Sequence, residues 1–453
     1  MRVNCVPQEN SGLEFRKYVV GLKTKVPLEN GKQVIPINFD NAATTPPFIA
    51  VMREINKFAP WYSSIHRGTG FKSLVSSDIY EESRREVLDF VGADPDYYTV
   101  IYVKNATEGI NKLSYRLHKN LKGCMVLSTR MEHHSNDLPW RDKYCVRYVN
   151  VDRDGRISLR DLERKLKRYK GKVKLVTLAG VSNVTGYINP IHEAAKIAHK
   201  YHAKILVDGS QLVPHCPVEM KEVHRPEHID FLVFSGHKMY APFGIGVVIA
   251  PKKYLKRGRP EYCGGGTVKF VTKDRVVWDD VPYRDEAGTP NLMGVVALTA
   301  AIKTLKCLGM TEIFSHEKRL AEYALNRLGQ IPGLKIYGDA KNINDRSGII
   351  SFNIEGVPHD IVAGILSREG GISVRNGCFC AQPYVQKLMG LSSKDVRRLI
   401  KNPALPKPGM VRISFGLYNT FFEIDELETM LGHIVQNKEE YLKEYQVQPA
   451  QSP

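Results

Sequence analysis

An amine and a carboxylate follow two hydrophobic runs in this 453-residue chain. The runs, residues 204–207 and 228–234, are largely apolar and predict buried parallel strands. Asp208 follows the first run directly, and Lys238 comes shortly after the second. In an open α/β sheet, the residues just beyond the carboxyl ends of the strands line the ligand crevice. We therefore expect Asp208 and Lys238 to face the same ligand from neighbouring strands.

This pair of groups suits pyridoxal phosphate. In enzymes that use this cofactor, a lysine amine forms a Schiff base with the aldehyde, and an acid pairs with the pyridinium nitrogen and keeps it protonated. Lys238 and Asp208 are the candidates for these two roles. A single lysine after a strand is more often a plain surface residue, so the hypothesis depends on the other motifs of the chain.

The composition is that of a globular protein with two or three domains. Apolar residues make up 43% of the chain and charged residues 25%. No run approaches the ~18 consecutive apolar residues that a membrane-spanning helix needs. The first residues lack the apolar core of a signal peptide. We expect a cytoplasmic protein without a membrane partner.

The net charge is strongly positive, at +17 from 65 basic and 48 acidic residues. Such a charge suits nucleic acid, an acidic membrane surface or an acidic protein partner. The basic residues are scattered, however, and form only short clusters such as Lys252-Lys253 and Lys256-Arg257. No nucleic-acid recognition motif accompanies them. We expect a solvated basic surface and no specific nucleic-acid partner.

The eight cysteines do not form paired Cys-x-x-Cys motifs, so no metal site is expected from them. In a cytosolic protein, most cysteines are reduced and buried. Cys378 and Cys380 differ from the others because only one residue separates them.

The chain divides into an arm, two domains and a tail. From residue 38 to 290, strand-like runs alternate with helical stretches, which is typical of a mostly parallel sheet covered by helices on both faces. We predict an arm at 1–37 without a clear core pattern that packs near the small domain, a large domain at 38–290, a smaller α/β domain at 291–445 and a polar tail at 446–453.

The expected elements follow from the same patterns. Strands are predicted at residues 98–103, 124–128, 173–178, 204–207, 231–234, 246–249, 348–354, 371–375 and 411–415. Helices are predicted at residues 190–201, 291–308, 312–328 and 424–438.

Further polar residues lie beside the predicted strands. Ala106 and Thr107 open a helix, where free N–H groups and a hydroxyl form either a phosphate cradle or an ordinary helix cap. His133 follows another strand and either stacks on a flat cofactor ring or is a loop histidine. Asn183 either donates hydrogen bonds to a cofactor or substrate, or forms a turn.

Ten short motifs run through the chain in a fixed order. They are Asn38-Phe39-Asp40-Asn41-Ala42-Ala43, His66-Arg67-Gly68, Ala106-Thr107-Glu108-Gly109-Ile110-Asn111, Met131-Glu132-His133-His134, Val181-Ser182-Asn183-Val184-Thr185-Gly186, Val207-Asp208-Gly209-Ser210-Gln211, Phe234-Ser235-Gly236-His237-Lys238, Gly264-Gly265-Gly266, Glu286-Ala287-Gly288-Thr289-Pro290, and Arg412 followed by Tyr418-Asn419-Thr420. Together they resemble the class V aminotransferase family, in its cysteine desulfurase and selenocysteine lyase branch. The resemblance covers roughly residues 38–440, and the ordered series is far more specific than any single motif.

The resemblance implies a pyridoxal-phosphate-dependent transferase of fold type I. Its large domain would have a mostly parallel sheet of the seven-stranded type, and a smaller α/β domain would follow. Lys238 would carry the cofactor, Asp208 would face the ring nitrogen and Gln211 the ring hydroxyl. His133 would stack on the ring and take part in catalysis.

The remaining site residues are implied in the same way. Beside Ala106, the residues expected to bind the cofactor phosphate are Thr107, Ser235 and His237. Asn183 would help to hold cofactor or substrate, Arg412 would clamp the substrate carboxylate and Arg375 would assist. Thr289 would reach the phosphate of the neighbouring subunit, which implies a homodimer with shared sites.

The family's nucleophilic cysteine corresponds to Cys380. An ordinary thiol is only a few per cent thiolate at neutral pH, and the nearby Arg375 would raise that fraction. The resemblance implies that L-cysteine is converted to L-alanine, with a persulfide left on Cys380. The sulfur would pass to an acceptor protein for iron–sulfur clusters or another thio-cofactor.

Two departures from the branch concern sulfur transfer. Cys378 stands where bacterial desulfurases have a histidine, and the resulting Gly-Cys-Phe-Cys motif resembles the desulfurase domain of molybdenum cofactor sulfurases. Three roles stay open for Cys378: it relays persulfide sulfur, it forms a regulatory bond with Cys380, or it only packs in the protein. Residues 391–410 are long for the branch and either cover the site, present a partner surface or form a tolerated insertion.

Other functions stay open at this stage. L-Selenocysteine would fit the same carboxylate clamp, and a related lyase, aminotransferase or epimerase would not need a cysteine nucleophile. A non-catalytic scaffold of this fold would be recognised by loss of Lys238 or Asp208, and both are present.

Overall fold

The computed structural model describes residues 11–120 and 123–447. Within them the strands are β1 (Val26–Pro27), β2 (Gln33–Val34), β3 (Ile37–Asn38), β4 (Tyr98–Val103), β5 (Met125–Thr129), β6 (Cys145–Val149), β7 (Val173–Ala179), β8 (Lys204–Asp208), β9 (Phe231–Ser235), β10 (Gly246–Pro251), β11 (Val268–Val271), β12 (Val276–Trp278), β13 (Leu334–Ile336), β14 (Ile349–Ile354), β15 (Ile372–Ser373), β16 (Arg375–Gly377) and β17 (Met410–Ser414).

The α-helices of the same residues are α1 (Ser11–Arg16), α2 (Ile49–Phe58), α3 (Phe71–Phe90), α4 (Ala106–Asn120), α5 (Leu138–Arg141), α6 (Leu159–Arg168), α7 (Ile191–Lys200), α8 (Lys252–Leu255), α9 (Leu292–Leu308), α10 (Met310–Leu328), α11 (His359–Arg368), α12 (Gln382–Leu388), α13 (Ser393–Lys401), α14 (Phe421–Gln436) and α15 (Lys438–Val447). Short 3₁₀ helices occur at Ala59–Trp61, His134–Asn136, Gly236–Lys238 and Tyr283–Asp285.

The large sheet has seven strands in the order β4-β10-β9-β8-β7-β5-β6. Strand β10 runs antiparallel to both of its neighbours, and the other pairs are parallel. Every residue of β4, β9 and β10 is buried, because helices cover both faces of the sheet. The predicted α/β class and the mostly parallel seven-stranded sheet are confirmed.

A second sheet of four antiparallel strands, β13-β14-β17-β16, lies in the C-terminal part of the chain. The single strand predicted at 371–375 is wrong, since the structure has two short strands there. Strand β15 pairs with β3 in parallel, whereas β16 pairs with β17. Gly371 precedes the first of them with a φ of +63°, a conformation that suits glycine.

The N-terminal segment contributes to the core, contrary to the expectation of an arm without a core pattern. Phe15 and Val19 are buried in the main hydrophobic cluster. Arg16 donates a hydrogen bond to the Tyr418 carbonyl and forms a 2.7 Å ion pair with Glu423. The boundaries predicted at residues 37 and 290 stay predictions, and residues 1–10 lie outside the described residues.

The C-terminal tail begins later than predicted. Helix α15 continues to Val447, so residues 446 and 447 belong to a helix, and residues 448–453 lie outside the described residues.

Cysteine burial also differs from expectation. Cys216 is buried, but Cys145, Cys263 and Cys380 are exposed.

Among the described residues, no single helix has both the length and the apolar character to cross a membrane. Helices α9 and α10 reach these limits only as a pair, with a 78° bend between them. Ten residues of α9 are buried in the protein core.

Candidate active site

Asp208 and Lys238 lie where two adjacent parallel strands end. Asp208 is the last residue of β8, and the 3₁₀ helix that contains Lys238 follows β9 directly. The two strands pair with Asp208 opposite Val233. Both side chains line one cavity of about 270 Å³, as the strand pattern predicts.

Lys238 is poised to act as a neutral amine. It forms no hydrogen bond or ion pair with the side chains and backbone that the structure describes. Burial lowers the pKa of Lys238 to about 8, although the negative charge of Asp208 acts to raise it. Roughly a tenth of the amine is therefore neutral at pH 7, far more than for an ordinary lysine.

The cavity contains every predicted site residue except Thr289. Its lining includes Ala106, Thr107, His133, Asn183, Asp208, Gln211, Ser235, His237, Lys238, Arg375, Cys380 and Arg412. Thr289 is exposed and lines a separate pocket together with His66 and Arg67. Within one chain, Thr289 is therefore not part of the site.

The phosphate end of the cavity is the start of α4. The Ala106 N–H donates to the Ser235 hydroxyl at 2.8 Å, which joins the helix start to the end of β9. The hydroxyls of Thr107 and Ser135 are 2.7 Å apart. His237 Nδ1 lies 3.3 Å from the Thr44 hydroxyl. Helix N-termini with hydroxyls beside them favour phosphate.

Two glycines allow this cradle to lie close to the sheet. A Cβ on Gly109 of α4 would lie 2.6 Å from a methyl carbon of Val248 and 2.9 Å from one of Val233. A Cβ on Gly246 of β10 would lie 2.6 Å from Cα of Asn105, one residue before α4. The cradle therefore depends on close backbone packing.

His133 is held in the middle of the cavity as a neutral ring. Its Nδ1 accepts the N–H of Ser135 at 3.1 Å, so the proton of the neutral imidazole lies on Nε2. Burial and, to a lesser extent, the nearby Lys238 charge together lower the pKa of His133 to about 4. A neutral flat ring is suited to stack on an aromatic cofactor.

Asp208 and Gln211, which are expected to face the ring nitrogen and ring hydroxyl of the cofactor, are both fixed by hydrogen bonds. One Asp208 oxygen accepts the N–H of Ser210 at 3.0 Å and its hydroxyl at 2.6 Å, which fixes the carboxylate. Gln211 donates to the Ala42 carbonyl at 2.6 Å. Its other amide atom, Oε1, is buried without a hydrogen-bond partner among the described residues.

Arg412 is buried in β17 and is only 3% exposed. It donates to the Asn183 carbonyl at 2.9 Å and to an Asp40 oxygen at 3.1 Å, while its Nε has no partner within the described chain. The exposed Arg375 lies 3.7 Å from the other Asp40 oxygen. Asp40 belongs to one of the ten motifs, but the sequence did not predict that it pairs with Arg412, because the two residues are 372 positions apart.

The cysteine loop has an unusual backbone. Phe379 and Cys380 have φ values of +51° and +53°, a region that few non-glycine residues adopt. Such residues cost roughly 1–3 kcal/mol each and persist only where surrounding contacts hold them. Here His134 N–H donates to the Cys380 carbonyl at 2.6 Å, and the Asn183 amide donates to the Phe379 carbonyl at 2.7 Å.

Cys380 and Cys378 occupy different surroundings. Cys380 is exposed at the cavity, whereas the Cys378 thiol donates to the Pro408 carbonyl at 3.1 Å and does not line the cavity. Burial raises the pKa of Cys378.

None of residues 391–410, all of which the structure describes, lines the cavity. This segment forms the exposed helix α13 and contacts the back of the cysteine loop.

The site residues fit pyridoxal phosphate. Gln211 Oε1 and Arg412 Nε are buried polar atoms without partners in the described chain, and the Lys238 amine also lacks one. The cavity combines an amine, a carboxylate, a neutral imidazole and a helix start with hydroxyls. These are the groups that a flat aldehyde with a ring nitrogen and a phosphate requires.

Comparison with known proteins identifies the family. The model of the aminotransferase class-V family matches residues 37–427. The chain belongs to the class V aminotransferase family. Members of this family are pyridoxal-phosphate-dependent enzymes of fold type I, and this protein is one of them.

Similar proteins include a probable cysteine desulfurase of Halalkalibacterium halodurans, 37% identical over 88% of this chain and 92% of that protein. A cysteine desulfurase of Haloferax volcanii is 34% identical over 90% of this chain and 92% of its own length.

Two solved structures have the same fold. The apo structure of a cysteine desulfurase from Thermococcus onnurineus is 32% identical, with a TM-score of 0.79, over 89% of this chain and 95% of that one. The cysteine desulfurase CsdA of Escherichia coli, with an S-sulfonic acid, is 27% identical, with a TM-score of 0.78, over 93% of this chain and 98% of that one. The likeness of the Gly-Cys-Phe-Cys motif to molybdenum cofactor sulfurases stays a prediction.

Proposed function

We propose that this enzyme is a cysteine desulfurase, which converts L-cysteine to L-alanine and leaves the sulfur as a persulfide on Cys380. The observation that carries the proposal is that Cys380 lines the same cavity as Lys238 and Asp208. Relatives that are 34–37% identical over most of the chain are cysteine desulfurases or probable ones. An aminotransferase or epimerase has no use for a thiol at this position.

The residues of the cavity divide the work of binding. Pyridoxal phosphate, when bound, supplies an electron sink next to the Cα atom of the amino acid. Asp208 is placed to hold a proton on the ring nitrogen, and His133 to support the ring face. Arg412, whose Nε is unpartnered among the described residues, is placed to hold the substrate carboxylate, with Arg375 at the entrance.

Lys238 and Cys380 carry out the covalent steps on the substrate. The Lys238 amine, with its pKa lowered to about 8, accepts the proton from Cα. Cys380 Sγ, as thiolate, attacks the substrate sulfur, so that an S–S bond forms while the C–S bond breaks. The electron pair of the broken bond stays with the substrate Cβ, which takes up a proton, and Cα recovers the proton that Lys238 had accepted. The products are alanine and a Cys380 persulfide.

A Cys380→Ala variant tests the proposal. It should bind the cofactor with unchanged absorbance, because Cys380 lies on the small-domain side of the cavity, but it should release neither sulfide nor alanine from cysteine. Cys145→Ala, which removes an exposed thiol on the edge strand β6, is the matched control and should be fully active. Full desulfurase activity in Cys380→Ala would refute the role of this residue.

The substrate and the sulfur route can be measured separately. A panel of amino acids, assayed for alanine, sulfide and keto-acid release together, separates cysteine from selenocysteine and from transamination. Mass spectrometry after turnover locates the sulfur. The Cys378 thiol donates a hydrogen bond to the Pro408 carbonyl, on the side of the cysteine loop away from the cavity. We therefore expect the transferred sulfur on Cys380 alone. Sulfur on Cys378 would instead indicate a relay.

The proposal includes a protein acceptor for the sulfur and a cytoplasmic role in iron–sulfur cluster or other thio-cofactor assembly. The exposure of Cys380 at the rim supports direct transfer to another protein.

The proposal also includes a homodimer with shared sites. Trp61 and Phe71 are 43% and 70% exposed and border an open cavity between α2, α3 and α9, and Leu74 of α3 is 52% exposed. Exposed apolar patches of this kind mark protein interfaces. Leu74 also lines the pocket of Thr289, so this threonine lies beside the apolar surface. That position supports contact between Thr289 and a second copy of the chain.

A further inference from the structure

A compact cluster of three polar residues lies at the amino ends of the strands, away from the active site. It consists of His199, His228 and Asp230. His199 lies in the last turn of α7, and Asp230 directly precedes β9. The active-site residues follow the carboxyl ends of β8 and β9, whereas this cluster lies at their amino ends. It is therefore separate from the site described above.

The geometry of the cluster places three ligand atoms together. The rings of His199 and His228 stack with centroids 4.3 Å apart and planes inclined by 23°. His199 Nε2 lies 2.7 Å from one Asp230 oxygen, and His228 Nε2 lies 3.4 Å from the other. These nitrogen and oxygen atoms all lie within 4.8 Å of one another.

Backbone carbonyls fix the orientation of both rings. His199 Nδ1 lies 2.6 Å from the Pro226 carbonyl, and His228 Nδ1 lies 2.7 Å from the Arg225 carbonyl. A carbonyl only accepts, so each Nδ1 carries a proton and donates it. In a neutral imidazole the lone pair is then on Nε2. The same arrangement, with the outer nitrogen donating to a carbonyl, orients the histidines of metal sites.

Without a metal ion, the 2.7 Å contact of His199 Nε2 with Asp230 is a hydrogen bond. A bound cation would instead take the Nε2 lone pairs of two neutral imidazoles together with the carboxylate. His228 is only 7% exposed, and its Nε2 has no hydrogen-bond partner among the described residues. Asp230 is fully buried, and the Ile205 N–H holds one of its oxygens at 3.0 Å.

We propose that His199, His228 and Asp230 bind a divalent transition-metal ion of the zinc type, with water as a fourth ligand. Two imidazoles and a carboxylate are ordinary zinc ligands, and bonds of about 2.0–2.1 Å in a tetrahedron place ligand atoms ~3.3 Å apart. The 3.4 Å between His228 Nε2 and Asp230 already matches this spacing. The ion would fasten α7 to the start of β9.

Lys204 competes with the metal for Asp230. Its amine lies 2.8 Å from the Asp230 oxygen that faces His228. The Lys204 side chain is 29% exposed, so it has room to turn toward solvent when the ion enters. Removal of this charge should therefore tighten metal binding.

The test uses the full-length, cofactor-loaded enzyme, stripped of metal with a chelator and titrated with ZnCl₂ or CoCl₂. We expect one site whose cobalt spectrum shows nitrogen and oxygen ligands without the charge-transfer band of a thiolate, which separates it from Cys378 and Cys380. Zinc should raise the thermal midpoint, because it binds the folded state. His199→Asn and His228→Asn should lose this site.

Two further variants keep the proposal falsifiable if a histidine variant does not fold. Lys204→Gln should bind zinc more tightly than the wild type. His224→Ala, which removes an exposed histidine from the same loop, should bind as the wild type does. The proposal is overturned if the wild type shows no thiolate-free cobalt site, if the histidine variants keep it, or if Lys204→Gln fails to tighten binding.

Discussion

The side chain of Lys238 shows how one residue gains its reactivity from its surroundings. An ordinary lysine has a pKa near 10.4 and is charged at neutral pH. Burial between β8 and β9 lowers this pKa to about 8 by penalising the charged form, and Asp208 limits the shift. The same cavity keeps His133 neutral. Burial, adjusted by a few neighbouring charges, therefore sets the protonation state of Lys238 and His133.

The pH dependence of cofactor binding follows from this shift. Only the neutral amine can bond to the cofactor aldehyde, and its fraction rises with pH up to and through about 8. We expect the rate of cofactor uptake by cofactor-free protein, followed by absorbance, to rise and then level off above that pH. Asp208→Asn should move the midpoint lower, since the Asp208 charge raises the pKa of Lys238. A midpoint near the ordinary lysine value would contradict the proposed environment.

At the scale of elements, the phosphate cradle depends on how closely β10 approaches the start of α4. Gly246→Ala places a Cβ 2.6 Å from Cα of Asn105, and backbone at this distance must move. We expect about 1–3 kcal/mol of destabilisation and a weaker preference for pyridoxal phosphate over pyridoxal, measured by titration. Gly432→Ala in α14 is the control, since nothing lies within 4 Å of its Cβ, and it should stabilise by roughly 0.5–1 kcal/mol. An unchanged phosphate preference in Gly246→Ala would argue against the cradle.

The segment that carries Thr289 is anchored by a buried ion pair. Glu286 accepts two 2.8 Å hydrogen bonds from Arg84 of α3, one from the Tyr80 hydroxyl and one from the Tyr102 N–H. Glu286→Gln removes the buried counter-charge of Arg84 and leaves Glu81, 3.2 Å from Arg84 Nε, as its remaining acidic partner, so we expect a cost of about 3 kcal/mol. Thermal or denaturant unfolding measures the loss. Glu82→Gln, on the exposed side of α3, should stay within about 0.5 kcal/mol of the wild type.

The elements also show how far the sequence alone reaches. Strands β4, β7 and β8 were predicted to within one residue, because buried strands of this sheet are continuous apolar runs, whereas the run at 228–234 starts three residues before β9. Strand β6 was missed because it lies at the sheet edge, where Cys145 and Arg147 are exposed and interrupt the apolar run. The pairing of Asp40 with Arg412, and the joining of His199 to Asp230, depend on the tertiary fold and have no local signal.

Across the whole molecule, buried acids and buried bases largely offset each other, so most of the positive charge lies at the surface. Asp230, Asp285, Glu286 and Glu317 are all buried, where their charges face partners inside the protein. Helix α13 next to the cysteine loop is exposed and carries Arg397, Arg398 and Lys401. Because Arg84, Arg116 and Arg284 are buried as well, the solvent meets a basic surface whose charge is close to the net charge of +17.

The proposed homodimer with shared sites predicts that two inactive variants complement each other when they are mixed. If Thr289 serves the phosphate of the partner, Lys238→Ala and Thr289→Ala homodimers are each defective. In a mixed dimer, one site then combines the intact Lys238 of the second variant with the intact Thr289 of the first. Mixing should restore tight cofactor binding and sulfide release at one of the two sites of each mixed dimer. If Thr289 served its own chain, or if the enzyme were monomeric, no mixture would exceed the average of the two variants, because every intact Lys238 would remain beside a substituted Thr289.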